Sequence, residues 1–165
     1  MTGRMSSSGL RELRDKLERN CTPQQIDKFF VSCAKRIAGQ LLRDVVKRTP
    51  IGHYDGNSYV CETGIPHKGR KVEGKQGGKL ASSWTVGEVE KNGKTYSITI
   101  KNNALSDTGV PYAIYVEHGH RTKKKDGYGW VEGHKMLAIT VAEIKDVMPD
   151  VLERRLIDFL RGCIQ

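Results

Sequence analysis

The sequence predicts an α+β fold, in which a small, mainly antiparallel sheet packs against a long N-terminal helix and a C-terminal helix. Apolar residues recur at helical spacing through residues 26–45 and again through residues 134–162. Between these segments, apolar residues alternate with polar ones on both sides of the dipeptide Asn92-Gly93, which is typical of a β-hairpin. With 165 residues the chain can bury a real core, so we expect residues 1–165 to form a single domain.

Two helices are expected before residue 50. Residues 8–20 carry leucines at positions i, i+3 and i+7, which predicts a short amphipathic helix that needs a surface to lie on. Thr22 is a good N-cap for a second, longer helix, with Pro23 at N1 and Gln25 placed to complete a capping box. This helix should extend to about Arg48. Its basic outer face either is solvated or meets an acidic neighbour.

Residues 51–79 are rich in glycine and poor in apolar residues, so a long flexible loop or arm insertion is expected there. A short strand is expected at residues 59–61. The tip of the arm is basic, and we expect it to become ordered on contact with a partner. The basic residues of this arm are Lys68, Arg70, Lys71 and Lys75.

The predicted hairpin pairs residues 80–89 with residues 94–101, and Gly87 is a candidate β-bulge. The apolar segment 112–117 is expected to add a third strand. In the C-terminal helix, Pro149 lacks a backbone N–H, so a kink or a break is expected at that position.

Histidines at positions 118, 120 and 134 raise the question of a metal site. On a strand, His118 and His120 would point the same way, but no further ligand stands at a recognisable spacing. The bend at Gly119 is explained equally well by a turn. Because further ligands are lacking, we expect no metal site. The sequence also has no G-x-S-x-G elbow, no phosphate-binding glycine motif and no compact acidic cluster, so we expect no catalytic or cofactor site.

The net charge of +9 suits an acidic protein surface or nucleic acid, although basic loops can also simply keep a small protein soluble. None of the four cysteines forms a C-x-x-C pair, and neither a signal peptide nor a membrane span is indicated. We therefore expect reduced thiols, with Cys33 buried as a small apolar side chain.

Residues 118–130 are expected to form an exposed basic loop that contains two aromatic residues. The aromatic pair should anchor this loop either onto the core or onto a neighbouring subunit. The residues expected at a subunit interface or facing a channel are Arg121, Lys123, Lys124, Lys125, Tyr128 and Trp130. Changing the three lysines together to glutamate should then impair assembly and leave the isolated fold intact.

Four segments follow one another along the chain: TPIG, GGKLASSW, YAIYVEHGH and GWVEGHKML. Their order resembles that of the neck or tail-completion proteins of long-tailed phages, the lambdoid head–tail joining family. The resemblance extends from Leu10 to Leu160 and is interrupted by the insertion at residues 53–77. The positions that match the family pattern are Pro50, Gly52, Gly78, Leu80, Ser83, Tyr112, Ala113, Glu117, Gly119, Gly133 and Met136.

The resemblance implies a non-enzymatic virion protein that forms a ring, expected to be a hexamer, at the head-proximal end of the tail and joins tail to head. Its implied partners are further copies of itself, the adjoining tail terminator, tail tube or sheath, and head-completion proteins. Contact with DNA in the channel is also implied, but no membrane. The implied location is the virion neck, after assembly in the cytoplasm of the host bacterium. The residues leave one alternative open, a basic DNA-binding accessory protein.

Overall fold

The computed structural model describes residues 7–54, 59–60, 66–67, 77–124 and 127–164. The helices are α1 (Ser7–Asn20), α2 (Pro23–Arg48), α3 (Lys79–Ser82), α4 (Ala113–His118) and α5 (Met136–Ile164). The strands are β1 (His53–Tyr54), β2 (Tyr59–Val60), β3 (Pro66–His67), β4 (Trp84–Asn92), β5 (Thr95–Asn102), β6 (Gly119–Lys124) and β7 (Gly127–Glu132). The α+β class is confirmed, with the strands distributed over three small antiparallel sheets.

Helices α1 and α2 confirm the two predicted N-terminal helices. The predicted capping box is present at the start of α2. The Thr22 hydroxyl accepts the backbone N–H of Gln25 at 3.3 Å, and the Gln25 side chain accepts the N–H of Thr22 at 2.8 Å. These bonds satisfy donors that the helix itself leaves unpaired. Cys33 is buried on α2 with a free thiol, as predicted.

The β4–β5 hairpin confirms the central prediction, with two differences. Residues 80–82, predicted as strand, belong to helix α3. The two turn residues are Gly93 and Lys94, because Asn92 already pairs with Thr95. The register shifts between Val86 and Val89, so a bulge forms at Gly87 as predicted.

Residues 112–117 were predicted as a third strand, and this is wrong. They form the start and body of helix α4, in which the N–H of Val116 bonds to the carbonyl of Tyr112 at 3.2 Å. Tyr112, Ala113 and Val116 pack against the core, whereas Ile114 is exposed. The spacing i, i+1, i+4 is helical, and a short apolar run cannot be assigned to strand or helix from the sequence alone.

The predicted exposed loop at residues 118–130 is also corrected. From Gly119 onward the chain forms the β6–β7 hairpin, whose register pairs Gly119 with Glu132 and Lys124 with Gly127. The sequence did not reveal this hairpin because β6, with the sequence GHRTKK, contains no apolar residue that could alternate with polar ones.

Helix α5 is continuous from Met136 to Ile164, and the break considered at Pro149 does not occur. Residues on both sides of the proline are held by packing. Ile144 and Met148 are buried before it, and the Phe159 ring stacks on Phe29 of α2 at 4.7 Å after it. Tertiary contacts of this kind offset the loss of one backbone hydrogen bond.

Helix α2 is packed against both α5 and the β4–β5 hairpin. On the hairpin side, Phe30 stacks on Tyr96 at 5.2 Å, and Asp27 accepts hydrogen bonds from Lys91 and from the Tyr96 hydroxyl. The Lys91 hydrogen bond, followed by that of Tyr96, lowers the pKa of Asp27 below its usual value. The same carboxylate raises the pKa of both donors.

Cys21 and Cys163 form a disulfide, which corrects the prediction of reduced thiols for this pair. Cys21 follows α1 and Cys163 lies in the last turn of α5, so the bond joins residues 142 apart in sequence. The Asn20 side-chain amide also donates to the Cys163 carbonyl at 2.6 Å. Only the packing of α1 on α5 brings these groups together, and no sequence spacing indicates it.

The predicted arm lies largely outside the described residues, which include only short pieces of it. Strand β2 confirms the strand expected near residue 59, and it pairs antiparallel with β1 on one side and β3 on the other. The four basic arm residues, Lys68, Arg70, Lys71 and Lys75, fall outside the described ranges, and their role stays a prediction.

Candidate assembly surface

The carboxylate of Glu117 anchors the N-terminus of α5. Glu117 is buried at the end of α4, and its two oxygens accept the backbone N–H groups of Leu137 at 3.0 Å and Ala138 at 2.9 Å. Backbone bonds from His134 to the carbonyl of Val116 and from Lys135 to that of Glu117 extend this contact. A negative charge at a helix N-terminus also interacts favourably with the helix dipole.

Two glycines allow the chain to approach itself closely at the same corner. A Cβ atom at Gly133 would lie closer than 3.0 Å to backbone atoms of Glu117, His118 and Gly119. Gly119 has φ +85°, and its own Cβ would lie 2.9 Å from both the Gly133 nitrogen and the Trp130 ring. Only glycine fits at these two positions without a shift of the backbone. The corner therefore sets the direction in which the β6–β7 hairpin leaves the body.

Replacing Glu117 with alanine should lower the free energy of unfolding by about 2 kcal/mol, because two buried N–H groups lose a charged acceptor. Chemical denaturation followed by circular dichroism would measure the change. Glu132→Ala, which removes an exposed carboxylate from β7, is the matched control and should change stability little. Equal effects of the two substitutions would show that Glu117 does not anchor α5.

A second corner is formed by the TPIG and GGKLASSW segments. Trp84 donates its indole N–H to the Thr49 hydroxyl at 2.8 Å, and this hydroxyl donates to the carbonyl of Val45 at 2.6 Å. Gly77 packs so closely on Gly52 that a Cβ at Gly77 would clash with the Gly52 carbonyl. Thr49 is buried, so the hydrogen bond fixes the Trp84 ring beside the core.

The other positions of the family pattern also have a place in the fold. Gly78 begins α3 at φ +95°, and the Ser83 hydroxyl donates to the Lys79 carbonyl at 2.6 Å at its end. Leu80 and Met136 are buried in one cluster, against which Tyr112 and Ala113 pack. Pro50, Gly52, Glu117, Gly119 and Gly133 lie at the two corners. Most positions of the pattern thus lie in the body of the protein, whereas Trp130 of the GWVEGHKML segment is exposed on the β6–β7 hairpin.

The β6–β7 hairpin gathers four of the six residues predicted for an interface onto one of its faces. Arg121 stands opposite Trp130, and Lys123 stands opposite Tyr128. Directly opposed residues of an antiparallel pair share a face, and residues two apart on a strand do so too. We call this set, Arg121, Lys123, Tyr128 and Trp130, the aromatic–basic face.

The aromatic–basic face is open to solvent. Tyr128 is 73% exposed and Trp130 is 54% exposed, so anchoring of the pair onto the core, one of the two predicted alternatives, is wrong. The Trp130 ring instead leans on Gly119 of the same hairpin. Neither Arg121 nor Lys123 forms an ion pair within the part of the chain that the structure describes. Large exposed aromatic groups beside unpaired cations are typical of contact surfaces.

The two remaining interface candidates cannot be assigned to this face. Lys124 pairs with Gly127 at the end of the hairpin. Because it directly follows Lys123 on the same strand, it belongs to the other face. Lys125 lies outside the described residues. Reversing the charges of Arg121 and Lys123 is therefore a sharper probe of this surface than reversing the three lysines.

The histidine arrangement differs from the one predicted. His118 ends helix α4 and His120 lies on β6, so the two do not share a strand face; the His120 ring meets Tyr115 edge-on at 6.1 Å. Across the described ranges, no group of three or more His, Cys, Asp or Glu side chains is arranged to hold a metal ion. No helix among the described residues has the length and apolar character to cross a membrane.

Sequence reasoning did not find the role of Glu117. An isolated glutamate in an apolar segment gives no signal that it will cap a helix that begins 19 positions later. The exposed acidic side of α5 was also missed, because helical periodicity identifies the buried side and treats the other as solvated.

A family model described as "Bacteriophage HK97-gp10, putative tail-component" matches residues 11–119, which is more than half of the chain. The matched range begins within α1, includes α2 to α4 and ends at Gly119, just before the residues of the aromatic–basic face. No curated protein and no solved structure matches the chain. The expected resemblance is confirmed at the level of the family: the chain belongs to the HK97-gp10-like family of phage tail components.

Proposed function

We propose that this tail component is a ring subunit at the head-proximal end of the phage tail, where it joins tail to head. The aromatic–basic face carries the proposal. A structural protein that holds neighbours together needs a surface that its own chain leaves uncovered, and the β6–β7 hairpin presents one outside the core. Exposed Tyr, Trp and Arg side chains are the groups that contribute most to protein–protein contacts.

The proposed role is contact and not catalysis. The partners would be further copies of the chain, in a ring that we expect to be hexameric, together with the tail terminator, tube or sheath proteins and head-completion proteins. Assembly would take place in the cytoplasm of the host, and the finished ring would remain in the virion neck. The close backbone packing at Gly119 and Gly133 supports this role, because a corner packed in this way would preorganise the hairpin for a partner.

DNA binding is the second candidate, because the same face combines two cations with two rings on which bases could stack. DNA contact in the channel is compatible with a neck ring. A DNA-binding accessory protein without a place in the particle would be a different function.

Particles made from the parent genome without this gene would test the proposal. We expect DNA-filled heads and separate tails in negative-stain images, and addition of the purified protein to the extract should restore joined, infectious particles. Density of the added protein should appear at the head-proximal end of the tail. Joined particles of normal appearance in the absence of the protein would refute the proposal. A protein that binds duplex DNA with a steep salt dependence, and has no effect on joining, would favour the DNA-binding alternative.

A further inference from the structure

The outer side of α5 carries a second surface with unusual chemistry for a solvated helix. Counting from residue 146, its members stand at i, i+1, i+4, i+7 and i+11, which places them on one side of the helix. We call this surface the α5 stripe, and it consists of Asp146, Val147, Asp150, Glu153 and Ile157. All five side chains are exposed, including Val147 at 59% and Ile157 at 41%.

The α5 stripe is acidic and unpaired. None of Asp146, Asp150 and Glu153 forms an ion pair within the described part of the chain, whereas nearby Glu143 is bound by Arg48 at 2.7 Å. One cation, Arg154, shares this side of the helix, so three carboxylates stand against one guanidinium. Exposed β-branched residues between free carboxylates form a surface that combines apolar contact with negative charge.

The aromatic–basic face has a largely complementary composition, with two cations against one carboxylate, that of exposed Glu132, which stands opposite Gly119 on the same side of the hairpin. It offers two rings for Val147 and Ile157, and two cations for the carboxylates of the stripe. The side chains of both surfaces are exposed in the described part of the chain. Complementary charge steers such surfaces together and excludes like-charged partners.

Neither strand of the β6–β7 hairpin packs extensively on α5 in the described part of the chain. The hairpin ends just before the first turn of α5, and the stripe begins ten residues beyond Met136, roughly 15 Å along the axis at 1.5 Å per residue. A contact between them must therefore join two copies through different surfaces of each. Contacts of this heterologous kind generate rings when the rotation between copies closes.

We propose that the aromatic–basic face of one copy docks on the α5 stripe of the next copy. This inference rests on the proposed ring and names the two surfaces that form it. A second copy is the occupant that the charges favour, because DNA would be repelled by the stripe and would leave Val147 and Ile157 uncovered. Arg121 and Lys123 would pair with carboxylates of the stripe, and Tyr128 and Trp130 would cover its apolar residues.

Charge reversal on each surface, followed by mixing, tests the contact. Variant one carries Arg121→Glu and Lys123→Glu, and variant two carries Asp146→Lys and Asp150→Lys. Sedimentation velocity and native mass spectrometry of the full chain should show an oligomer for the natural sequence. Each variant alone should associate at least tenfold more weakly, with unchanged thermal unfolding, because like charges then face one another.

Mixing the two variants should restore the oligomer, because every face then finds a stripe of opposite charge. The same restoration is expected when all four substitutions are combined in one chain. A double reversal on the other hairpin, Lys94→Glu with Lys101→Glu, changes net charge as much as variant one and should leave assembly intact.

Each of the following results would overturn the inference. Oligomers that survive both reversals would place the ring contact elsewhere and leave the proposed function standing. Disruption without rescue on mixing would show that the two surfaces do not meet. A monomer that still restores head–tail joining would remove the self-contact alone, whereas a monomer that fails to restore joining would remove both proposals. If variant one lost duplex DNA binding and kept its oligomeric state, the face would belong to DNA.

Discussion

Replacing Gly133 with alanine is expected to lower the free energy of unfolding by about 3 kcal/mol. The new methyl group would lie closer than 3.0 Å to the carbonyl oxygen of Glu117, the carbonyl carbon of His118 and the nitrogen of Gly119. All three are backbone atoms, so no side chain can rotate away, and the chain itself must shift. That shift would also disturb the two bonds that Glu117 makes to the first turn of α5.

Thermal unfolding followed by circular dichroism would measure this effect, and a loss of about 3 kcal/mol corresponds to roughly 6–12 °C in Tm. Gly39→Ala is the matched control, because a Cβ at this exposed position of α2 meets nothing within 4 Å. The control should stabilise the protein by about 0.5–1 kcal/mol, since alanine favours a helix interior over glycine. A Gly133 variant as stable as the natural protein would mean that the corner is looser than described.

The long helices and the central hairpin could be predicted because their signals are local. A capping box at Thr22 and repeated apolar spacing define α2, and the hairpin follows from alternation around a glycine turn. Helix α4 could not be predicted in the same way. Its six residues are consistent with either the helical or the strand period. The segment is helical in the fold because Ala113 and Val116 then pack against the core on the same side.

The candidate surface was predicted by composition but not by arrangement. Arg121, Lys123, Tyr128 and Trp130 were selected because charge and aromatic rings occur close together in sequence. Their common face depends on the register of the β6–β7 hairpin, which the corner at Gly119 sets. The Cys21–Cys163 bond depends on the docking of the two ends of the described fold, which involves residues far apart in sequence. The spacing of apolar residues in the sequence does not indicate long-range contacts of either kind.

Substitutions in the body of the protein and substitutions on its two exposed surfaces should have different effects. Residues of the family pattern, including those of both corners, hold the fold, whereas the aromatic–basic face and the α5 stripe are exposed and carry no core contact. Substitutions in the first group should reduce stability and assembly together. Substitutions on the two surfaces should reduce assembly alone.

The clearest case in the first group is Met136→Ala, which should lower the free energy of unfolding by about 2–5 kcal/mol through loss of buried volume. Met136 is the first residue of α5 and is fully buried at 0% exposure. It belongs to one cluster with Val45 of α2, Leu80 of α3 and Ala104, which follows β5. A cavity at this position would therefore loosen four parts of the chain at once.

Met136→Leu is the matched control, because leucine keeps an apolar side chain of similar size in the cluster. It should lower the free energy of unfolding by less than about 1.5 kcal/mol. Denaturant titration of both variants would measure the difference, and the slope of the free energy of unfolding against denaturant concentration should stay constant if only stability changes.

A cavity here should also weaken the attachment of the β6–β7 hairpin, since α5 begins where Glu117 holds its first turn. The alanine variant should then lose assembly at temperatures near its own Tm and regain it on cooling, whereas the Arg121→Glu, Lys123→Glu variant should fail to assemble at every temperature while folded. Equal stability of Met136→Ala and Met136→Leu would show that this cluster does not connect the helices to the corner.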